Sequence, residues 1–387
     1  MKMKKSKLAI FTGSDLRYFG GAEKDAILMA NMLCNDFDIT LFTPIDKLNL
    51  RVNKEYVENL IDKKVKILYY PAIKIFFGTD IIPQGFKGIK DILLIRKFDF
   101  VYVYTPSVIL DLILIFICKV YNVKFIFGIH TPDYFKEKSI INSPMRNLLL
   151  RPYKKLKFYF IKQTKIIRIQ NLTDFKRLKQ IGYKGKIYNI PPFINLPKKI
   201  RLHKVKRFIV LSVSRLSIKH KGIDLLCDVI EKTMNKNNEI LFYIVGSGDD
   251  GEPLVRDLEN KYPKNVKLLG FVDEKYLYKL YQQASLFIST SRGENFGINV
   301  AEAQVNGLPT IAFNVMGSQD IITEKIQGTL VEPFNTARFS DEIIRFYKFY
   351  KKDIKKYIKL KLRISNMAIK KYDYKIISNK IAKMLIN

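Results

Sequence analysis

The chain alternates short runs of β-branched and aromatic residues with longer stretches whose apolar residues recur at helical spacing. A strand that leads into a helix and then into another strand is typical of a parallel sheet covered by helices. In the first half, the runs that predict strands are Leu8–Thr12, Ile39–Thr43, Val65–Tyr69, Phe100–Tyr104, Lys124–Ile129, Ile166–Gln170 and Ile187–Ile190. The pattern therefore predicts an α/β domain on a doubly wound sheet.

The alternation lapses near the middle of the chain and then resumes. Pro191-Pro192, Pro197 and the basic segment Lys198–Arg207 indicate a linker there. The second series of strands is Phe208–Ser214, Ile240–Val245, Val266–Leu269, Leu286–Ser289, Thr310–Phe313 and Gly328–Val331. We therefore predict two Rossmann-like domains, residues 1–195 and 196–365, that face each other across a cleft. Residues 366–387 are predicted to form a C-terminal helix, for which packing back on the first domain is one option.

Composition and charge narrow the class of protein. The 387 residues are 48% hydrophobic and 27% charged, which is typical of a chain that folds into cores rather than one that stays disordered. The net charge of +32 would attract phosphates, whether in nucleic acid, anionic lipid or nucleotide-sugars. Abundant lysine on solvated helix faces explains the same excess equally well. Cys34, Cys118 and Cys227 lack metal or redox spacing and are interpreted as small core residues.

Two apolar segments bear on the cellular location. Leu8–Phe11 is too short for the core of a signal peptide, so we expect the protein on the cytoplasmic side. Val108–Cys118 is interrupted by Asp111 and is far shorter than the roughly 20 residues that span a bilayer. We interpret it as a buried helix, which leaves attachment to the inner face of the membrane open.

The segment Ser291–Glu302 is the most informative part of the sequence for chemistry. Ligands of open α/β sheets bind beyond the carboxyl ends of strands, and this segment follows the strand Leu286–Ser289. A helix that begins at Ile298 would point its first backbone N–H groups at a phosphate. Glu302 would then lie about one turn inside the helix, and Glu294 in the loop ahead of it. A loop acid and a first-turn acid favoured by the helix dipole would be the structural alternative.

Phe296-Gly297 between these acids, together with Gly307-Leu308-Pro309 after them, resembles the signature of the family 4 retaining glycosyltransferases of the GT-B fold. The resemblance implies that Glu294 contacts the donor hexose and that Glu302 binds the ribose. It also implies that the backbone of Asn295, Phe296 and Gly297 holds the diphosphate. Asn295 departs from the family pattern, because a glycine is usual there.

A second match to the family follows the strand Phe208–Ser214, where Arg215-Leu216 is followed by Lys221-Gly222. A guanidinium and an ammonium can hold a diphosphate and stabilise the charge that builds on it as the glycosidic bond breaks. The family uses its Arg and Lys in this way, which implies catalytic roles for Arg215 and Lys221. His130, at the end of a predicted strand, is a further catalytic candidate that would position the sugar or the acceptor.

Residues after three predicted strands extend the candidate donor site. Gly246 and Gly248 match the family's glycine turn, although a tight connection to the next helix predicts the same residues. Gly20 and Gly21 resemble the Gly-Gly-x-Glu element near the donor phosphate. Val272 lies where the family's backbone meets the nucleotide base.

No metal and no cofactor is expected besides the nucleotide-sugar itself. The sequence Asp36-Phe37-Asp38 precedes its strand and is typical of a turn, and a phosphate-binding Gly-x-x-x-x-Gly-Lys-Ser/Thr loop is absent from the sequence. The resemblance further implies retention of anomeric configuration, with the departing diphosphate helping to remove the acceptor's proton and with Glu294 positioning the donor.

The acceptor is expected to bind the first domain. Between Tyr134 and Lys165, apolar and aromatic residues are interleaved with lysine and arginine, a pattern that suits either an anionic membrane or a helix packed on the sheet. The sequence thus predicts a hexosyltransferase (EC 2.4) that moves a sugar from a UDP- or GDP-sugar to a glycan, glycolipid or lipid-linked acceptor. The alternatives are a basic nucleic-acid or polyanion-binding protein, which we disfavour since no nucleic-acid module is recognisable, and another GT-B enzyme such as a nucleotide-sugar epimerase.

Overall fold

The computed structural model describes residues 5–45, 50, 52–75, 80–104, 107–130, 151–197, 207–248 and 250–387. They form two compact units, residues 1–193 with 374–387 and residues 194–373. The boundary predicted after residue 365 is corrected, because the helix Ile354–Lys371 continues through it and belongs to the second unit. The final helix, Tyr374–Ile386, belongs to the first unit and contacts the helix Gly21–Leu33 there.

The first unit is a sheet with helices on its faces. Its strands are β1 (Lys7–Phe11), β2 (Asp38–Ile45), β3 (Lys66–Ile75), β4 (Asp80–Pro83), β5 (Phe100–Val103), β6 (Lys124–Gly128), β7 (Ile166–Ile169) and β8 (Lys186–Asn189). Its helices are α1 (Gly21–Leu33), α2 (Lys54–Asn59), α3 (Gly85–Leu93), α4 (Val108–Val120), α5 (Arg151–Gln163), α6 (Leu172–Gln180) and α15 (Tyr374–Ile386), with 3-10 turns at Leu16–Tyr18 and Leu94–Lys97.

The strands of this sheet lie in the order β4-β3-β2-β1-β5-β6-β7-β8. All neighbours are parallel except β3 and β4, which pair antiparallel; β4 was not predicted from the sequence. Phe11 of β1 stacks on Phe42 of β2 with ring centroids 4.5 Å apart, inside a core that the inner sides of α3, α4, α5 and α6 share. That shared core puts these four helices on one face of the sheet.

The second unit is a smaller sheet of the same kind. Its strands are β9 (Ile209–Val213), β10 (Leu241–Val245), β11 (Val266–Gly270), β12 (Leu286–Ser289), β13 (Thr310–Phe313) and β14 (Gly328–Val331), all parallel, in the order β11-β10-β9-β12-β13-β14. Its helices are α7 (Ile218–Lys221), α8 (Ile223–Lys236), α9 (Glu252–Lys261), α10 (Glu274–Gln283), α11 (Ile298–Val305), α12 (Ser318–Ile321), α13 (Thr336–Lys352) and α14 (Ile354–Lys371).

The Gly307-Leu308-Pro309 turn brings α11 and α14 into close contact. Gly307 has φ +79°, and a Cβ there would lie 2.6 Å from the carbonyl oxygen of Lys361. Ser365 Oγ donates to the carbonyl oxygen of Val305 at 2.5 Å, and Tyr357 Oη donates to that of Ser285 at 2.9 Å. Helix α14 therefore supports α11 from behind, and glycine is needed where the two backbones meet.

Helix α4 is buried on one side only, which corrects the prediction of a buried helix. Leu114 and Cys118 are 0% and 1% exposed, whereas Phe116 and Val120 are 67% and 60% exposed. Among the described residues, no helix has both the length and the hydropathy needed to cross a bilayer. Cys34 is buried like Cys118, and both are free thiols.

Candidate functional site

The loops that carry the predicted donor residues follow β9, β10 and β12, three adjacent strands of the second sheet. Because these strands are parallel, their carboxyl ends lie at one edge of the sheet and their loops are neighbours. Leu216 N donates to the carbonyl oxygen of Ser247 at 2.9 Å, and Thr290 Oγ1 donates to that of Gly222 at 3.0 Å. The residues proposed from three separate motifs thus meet at one place.

Lys221 and Glu294 form an ion pair at the centre of this edge. Lys221 Nζ lies 2.5 Å from Glu294 Oε1, and the two side chains are 21% and 12% exposed. Ser291 Oγ donates to the same carboxylate oxygen at 2.7 Å, and Glu294 N donates to the carbonyl oxygen of Met316 at 3.1 Å. The acid predicted to contact a sugar and the cation predicted to contact a diphosphate therefore touch each other directly.

A second ion pair, which the sequence analysis missed, ties the two loops together. The Arg292 guanidinium donates to both carboxylate oxygens of Asp224 at 2.7 Å and to the carbonyl oxygen of Ile218 at 2.5 Å. Hydrogen bonding from Arg292 lowers the pKa of Asp224, so the pair stays ionised. Arg292 N also donates to the carbonyl oxygen of His220 at 3.0 Å. A single arginine thus fixes the helix that ends in Lys221 to the loop that contains Glu294.

Gly317 packs against the loop that carries both Glu294 and Phe296 and was also missed. It has φ +88°, and a Cβ there would lie 2.8 Å from both Glu294 Cβ and the Glu294 carbonyl oxygen and 2.9 Å from that of Phe296. Only glycine fits such an approach. The sequence signal was the Met316-Gly317 pair shortly after β13, the strand beside β12.

Helix α11 begins where the sequence predicted, directly after the left-handed Gly297 with φ +95°. Phe296 is 5% exposed and its ring packs edge-on against Tyr372, so the side chain serves the core of the unit. Asn295 is likewise buried, at 6% exposure. The first-turn amides of α11 remain the part of this segment suited to a phosphate.

Glu302 lies one turn inside α11, as predicted, and is 9% exposed. Tyr281 Oη donates to its Oε2 at 3.2 Å. Burial, and then the neighbouring Glu302 carboxylate, raises the pKa of Tyr281 well above its usual range, so the tyrosine stays a donor. One carboxylate oxygen of Glu302 is therefore held by protein, and the sequence analysis did not identify Tyr281.

Packing requires two of the predicted donor-site glycines. A Cβ at Gly246 would collide with the carbonyl oxygen of Ser214, and one at Gly248 with that of Leu216. These glycines let the loop after β10 approach the loop that carries the half-buried Arg215. A tight connection between strand and helix therefore explains both glycines. Val272 lies half-buried in the loop after β11. Contact of these three residues with a donor stays a prediction.

In the first unit, Gly20 and Gly21 form the start of α1. Gly20 N donates to Glu23 Oε2 at 2.9 Å, and Ser14 Oγ donates to Glu23 Oε1. A Cβ on Gly20 would lie 2.8 Å from that Oε2. Glu23 therefore caps its own helix, which is the structural interpretation of this motif.

His130 belongs to a buried polar network of the first unit. Its side chain is 2% exposed, its Nε2 lies 2.9 Å from Tyr102 Oη, and its ring stacks on Tyr104 at 4.1 Å. Asp25 pairs there with Arg168 at 3.4 Å. Burial and the Arg168 charge lower the pKa of His130 well below 6.5, so the imidazole is neutral. Contact between His130 and a sugar stays a prediction, and in this arrangement the ring is enclosed by protein.

The described ranges hold no group of three or more His, Cys, Asp or Glu side chains placed to bind a metal ion.

Part of the chain is similar to a known protein family. Residues 195–361 match the family described as Glycosyl transferases group 1. The matched segment coincides with most of the second unit. The match confirms the predicted enzyme class, a glycosyltransferase, at the level of this family.

Glycosyltransferases are also among the curated relatives. The chain is 30% identical over 201 residues, half of its length, to the poly(ribitol-phosphate) alpha-N-acetylglucosaminyltransferase of Staphylococcus aureus. It is 26% identical over 224 residues, 57% of its length, to the poly(glycerol-phosphate) alpha-glucosyltransferase of Bacillus subtilis. The matches span only 39% and 32% of the lengths of these relatives. An uncharacterised protein from a cps region of Klebsiella pneumoniae is 28% identical over 83% of this chain and 92% of its own.

Solved structures match over nearly the whole chain. The Anabaena protein HepE, crystallised with UDP and glucose, superposes with a TM-score of 0.71 at 18% identity, covering 98% of this chain and 99% of its own. The pneumococcal O-GlcNAc transferase GtfA, crystallised with UDP and GlcNAc, gives 0.75 at 13% identity over 99% of both chains. These likenesses confirm the predicted GT-B fold, two α/β domains on parallel sheets.

Proposed function

We propose that this chain is a retaining hexosyltransferase that takes its sugar from a nucleotide-diphosphate donor. The observation that carries the proposal is the Lys221–Glu294 pair at 2.5 Å, set at the carboxyl edge of the second sheet just ahead of α11. A cation, a carboxylate and a helix N-terminus at one edge suit a ligand that carries phosphate and hydroxyl groups together.

Each part of the donor has a matching group in this arrangement. The diphosphate binds Lys221, Arg215 and the first amides of α11, which stabilise the negative charge that builds as the sugar departs. Glu302 accepts hydrogen bonds from the ribose hydroxyls while Tyr281 holds its other oxygen. Glu294 accepts from the hydroxyls of the hexose. The nucleotide is proposed to be UDP rather than GDP, since HepE and GtfA were crystallised with UDP.

Glu294 is proposed to position the donor rather than to attack it. Lys221 Nζ at 2.5 Å and Ser291 Oγ at 2.7 Å both bind its Oε1 and hold the carboxylate in one orientation, which suits a group that orients the sugar. Retention then follows from attack on the face that the diphosphate leaves, with the diphosphate taking the acceptor's proton. No metal or other cofactor is assigned a role in these steps.

The acceptor is proposed to be a glycan, a glycolipid or a lipid-linked sugar of a cell-surface polysaccharide or glycoconjugate. The relatives named for poly(ribitol-phosphate) and poly(glycerol-phosphate), and the one from a cps region, support this class. The basic chain, with its +32 charge, also suits polyanionic acceptors.

Thermal stabilisation by a panel of nucleoside diphosphates and their sugars tests the donor site. A nucleotide at 100 times its Kd stabilises the fold by about 2.7 kcal/mol, which is roughly 5–10 °C in Tm for a unit of this size. We expect UDP and UDP-sugars to give this shift, and Arg215→Ala and Glu302→Gln to abolish it. Glu302→Gln keeps an acceptor for Tyr281, and Glu332→Ala, at an exposed site of the same unit, serves as the matched control.

The same experiment can contradict the proposal. If no nucleotide shifts Tm while DNA or RNA binds with steep salt dependence, the chain is a polyanion-binding protein. If UDP-sugars shift Tm but transfer yields the inverted anomer by NMR, the donor site stands and retention is wrong.

A further inference from the structure

Helix α3 presents most of its apolar side to solvent. Phe86, Ile89 and Leu93 follow each other at i, i+3 and i+7 and are 84%, 52% and 38% exposed. Ile92 is the large apolar residue of α3 that reaches the core, at 2% exposure. This spacing puts the three exposed residues on one line along the helix. A helix with its apolar stripe turned outward needs a partner for that stripe.

Helix α4 repeats the arrangement. Ile113, Phe116 and Val120 have the same i, i+3, i+7 spacing and are 36%, 67% and 60% exposed. On the opposite side of the helix, Leu114 and Cys118 are 0% and 1% exposed. Two helices of one layer therefore each carry an exposed apolar line.

The two lines belong to a single surface. The inner sides of α3 and α4 pack into one core, and both helices contact β4 and the 3-10 turn Leu94–Lys97. Since their inner sides share the sheet, their outer sides point away from it together. We call this surface the α3–α4 face, defined by the six exposed residues Phe86, Ile89, Leu93, Ile113, Phe116 and Val120.

Within α3, α4 and the 3-10 turn Leu94–Lys97, all of which the structure describes, the exposed charged side chains are cations. The cations are Lys87, Lys90, Arg96, Lys97 and Lys119, all exposed. On α3, α4 and the turn between them, the acids are Asp91, which is half-buried, and Asp111, which is 0% exposed. Aromatic and aliphatic residues within a ring of lysine and arginine suit the boundary between anionic headgroups and acyl chains.

We propose that the α3–α4 face docks on an anionic lipid surface, with Phe86 and Phe116 inserted among the acyl chains and the surrounding cations at the headgroups. A second copy of this chain is a poorer occupant, because a two-fold contact would bring the same five cations against themselves. Lipid offers apolar depth and negative charge at once. The proposal goes beyond the transfer reaction, since lipid binding needs no nucleotide.

The proposal also relocates the membrane contact suggested by the segment Tyr134–Lys165. Residues 134–150 of that segment lie outside the described residues. In its described part, Phe160 and Ile161 are 0% exposed and pack in the core, as expected of an ordinary helix on the sheet. Tyr159 is 56% exposed, and Lys119 of α4 donates to Gln163 at 2.9 Å, so the outer side of α5 adjoins the α3–α4 face.

Flotation of the full chain with vesicles tests the docking. We expect binding to vesicles of equal phosphatidylglycerol and phosphatidylcholine, and at least tenfold weaker binding to phosphatidylcholine alone. F86S/F116S should weaken binding to the anionic vesicles at least tenfold. L254S/L362S, which changes two exposed apolar residues of the second unit, should bind like the parent.

Fluorescence gives a second readout that does not depend on loss of binding. The chain has no tryptophan, so Phe116→Trp supplies a single reporter on the face. Its emission should shift to shorter wavelength when anionic vesicles are added, while Leu362→Trp should not shift. Stabilisation by nucleotide is measured on every variant, which separates failure of this proposal from failure of the donor site.

Three outcomes would overturn the proposal. The parent could fail to float with anionic vesicles, or F86S/F116S could float as well as the parent. Light scattering could also show a dimer of the parent that F86S/F116S converts to monomer, in which case the face binds a second copy of the chain.

Discussion

Lys361 should make the stability of the second unit rise with pH. Its side chain is 2% exposed, its Nζ donates to the carbonyl oxygen of Ala284 at 2.7 Å, and burial lowers its pKa from 10.5 to about 8. Between these two values the unfolded chain holds a proton that the folded chain has released. The free energy of unfolding therefore increases as pH rises through this window, by about 2.5 kcal/mol between pH 7 and 10.

Replacing this lysine with methionine isolates the effect. At pH 7 the buried ammonium costs about 3 kcal/mol, and Lys361→Met removes that cost but leaves the Ala284 carbonyl without its donor, a loss of about 1 kcal/mol. The variant should be about 2 kcal/mol more stable at pH 7, or roughly 4–8 °C higher in Tm, and should lose that advantage by pH 10. Urea unfolding of both proteins at pH 7, 8, 9 and 10 measures the difference.

Lys359→Met provides the control, because Lys359 lies two residues away on α14 and is exposed. It should follow the parent at every pH. A difference between the parent and Lys361→Met that stays constant from pH 7 to 10 would refute the reasoning, since burial would then not hold the pKa of this lysine down.

Two further predictions concern the Glu294 loop. Gly317→Ala should lower the rate of sugar transfer at least tenfold, because the new methyl group strains a left-handed residue and pushes on Glu294. Gly293→Ala is the control: the space around Gly293 is open, so its transfer rate should stay within about twofold of the parent's in the same assay. Arg292→Lys should raise the KM for the donor severalfold with little change in Tm, because lysine cannot bond both oxygens of Asp224. Asp224→Asn should reproduce that KM in steady-state kinetics, and a donor KM equal to the parent's in both variants would remove the pair from the site.

Elements bounded by strong local signals were predictable from the sequence. Leu286–Ser289, Thr310–Phe313 and Gly328–Val331 have the predicted bounds, because each is a short apolar run next to glycine, proline or a polar loop. The strand Asp80–Pro83 was missed. It has four residues, ends in proline and pairs antiparallel at the sheet edge, so its structure depends on its partner strand more than on its own pattern.

The candidate residues were proposed from the sequence one at a time, but the contacts among them were not. Glu294 and Lys221 were each found from local motifs, yet they are 73 positions apart, and no periodicity reports that they bond. The same holds for Arg292 and Asp224, separated by 68 positions. Tyr281 could not be predicted for another reason. A tyrosine on an amphipathic helix is expected to pack in the core, and only the structure shows that its hydroxyl donates to the Glu302 carboxylate.

The glycines in the motifs show why a match to a sequence motif is not enough to assign a function. A side chain at Gly246, Gly248 or Gly307 would collide with the backbone of a neighbouring segment, so the fold requires these residues whether or not a ligand binds. The charged residues differ in this respect. Lys221 and Glu294 lie largely out of water, and the free energy lost when such charges are desolvated can exceed what their ion pair returns. Fold stability therefore gives little reason to keep both. The proposed function therefore depends on the charged residues of this edge, and substitutions there test it more sharply than substitutions of the glycines in the motifs that resemble the family.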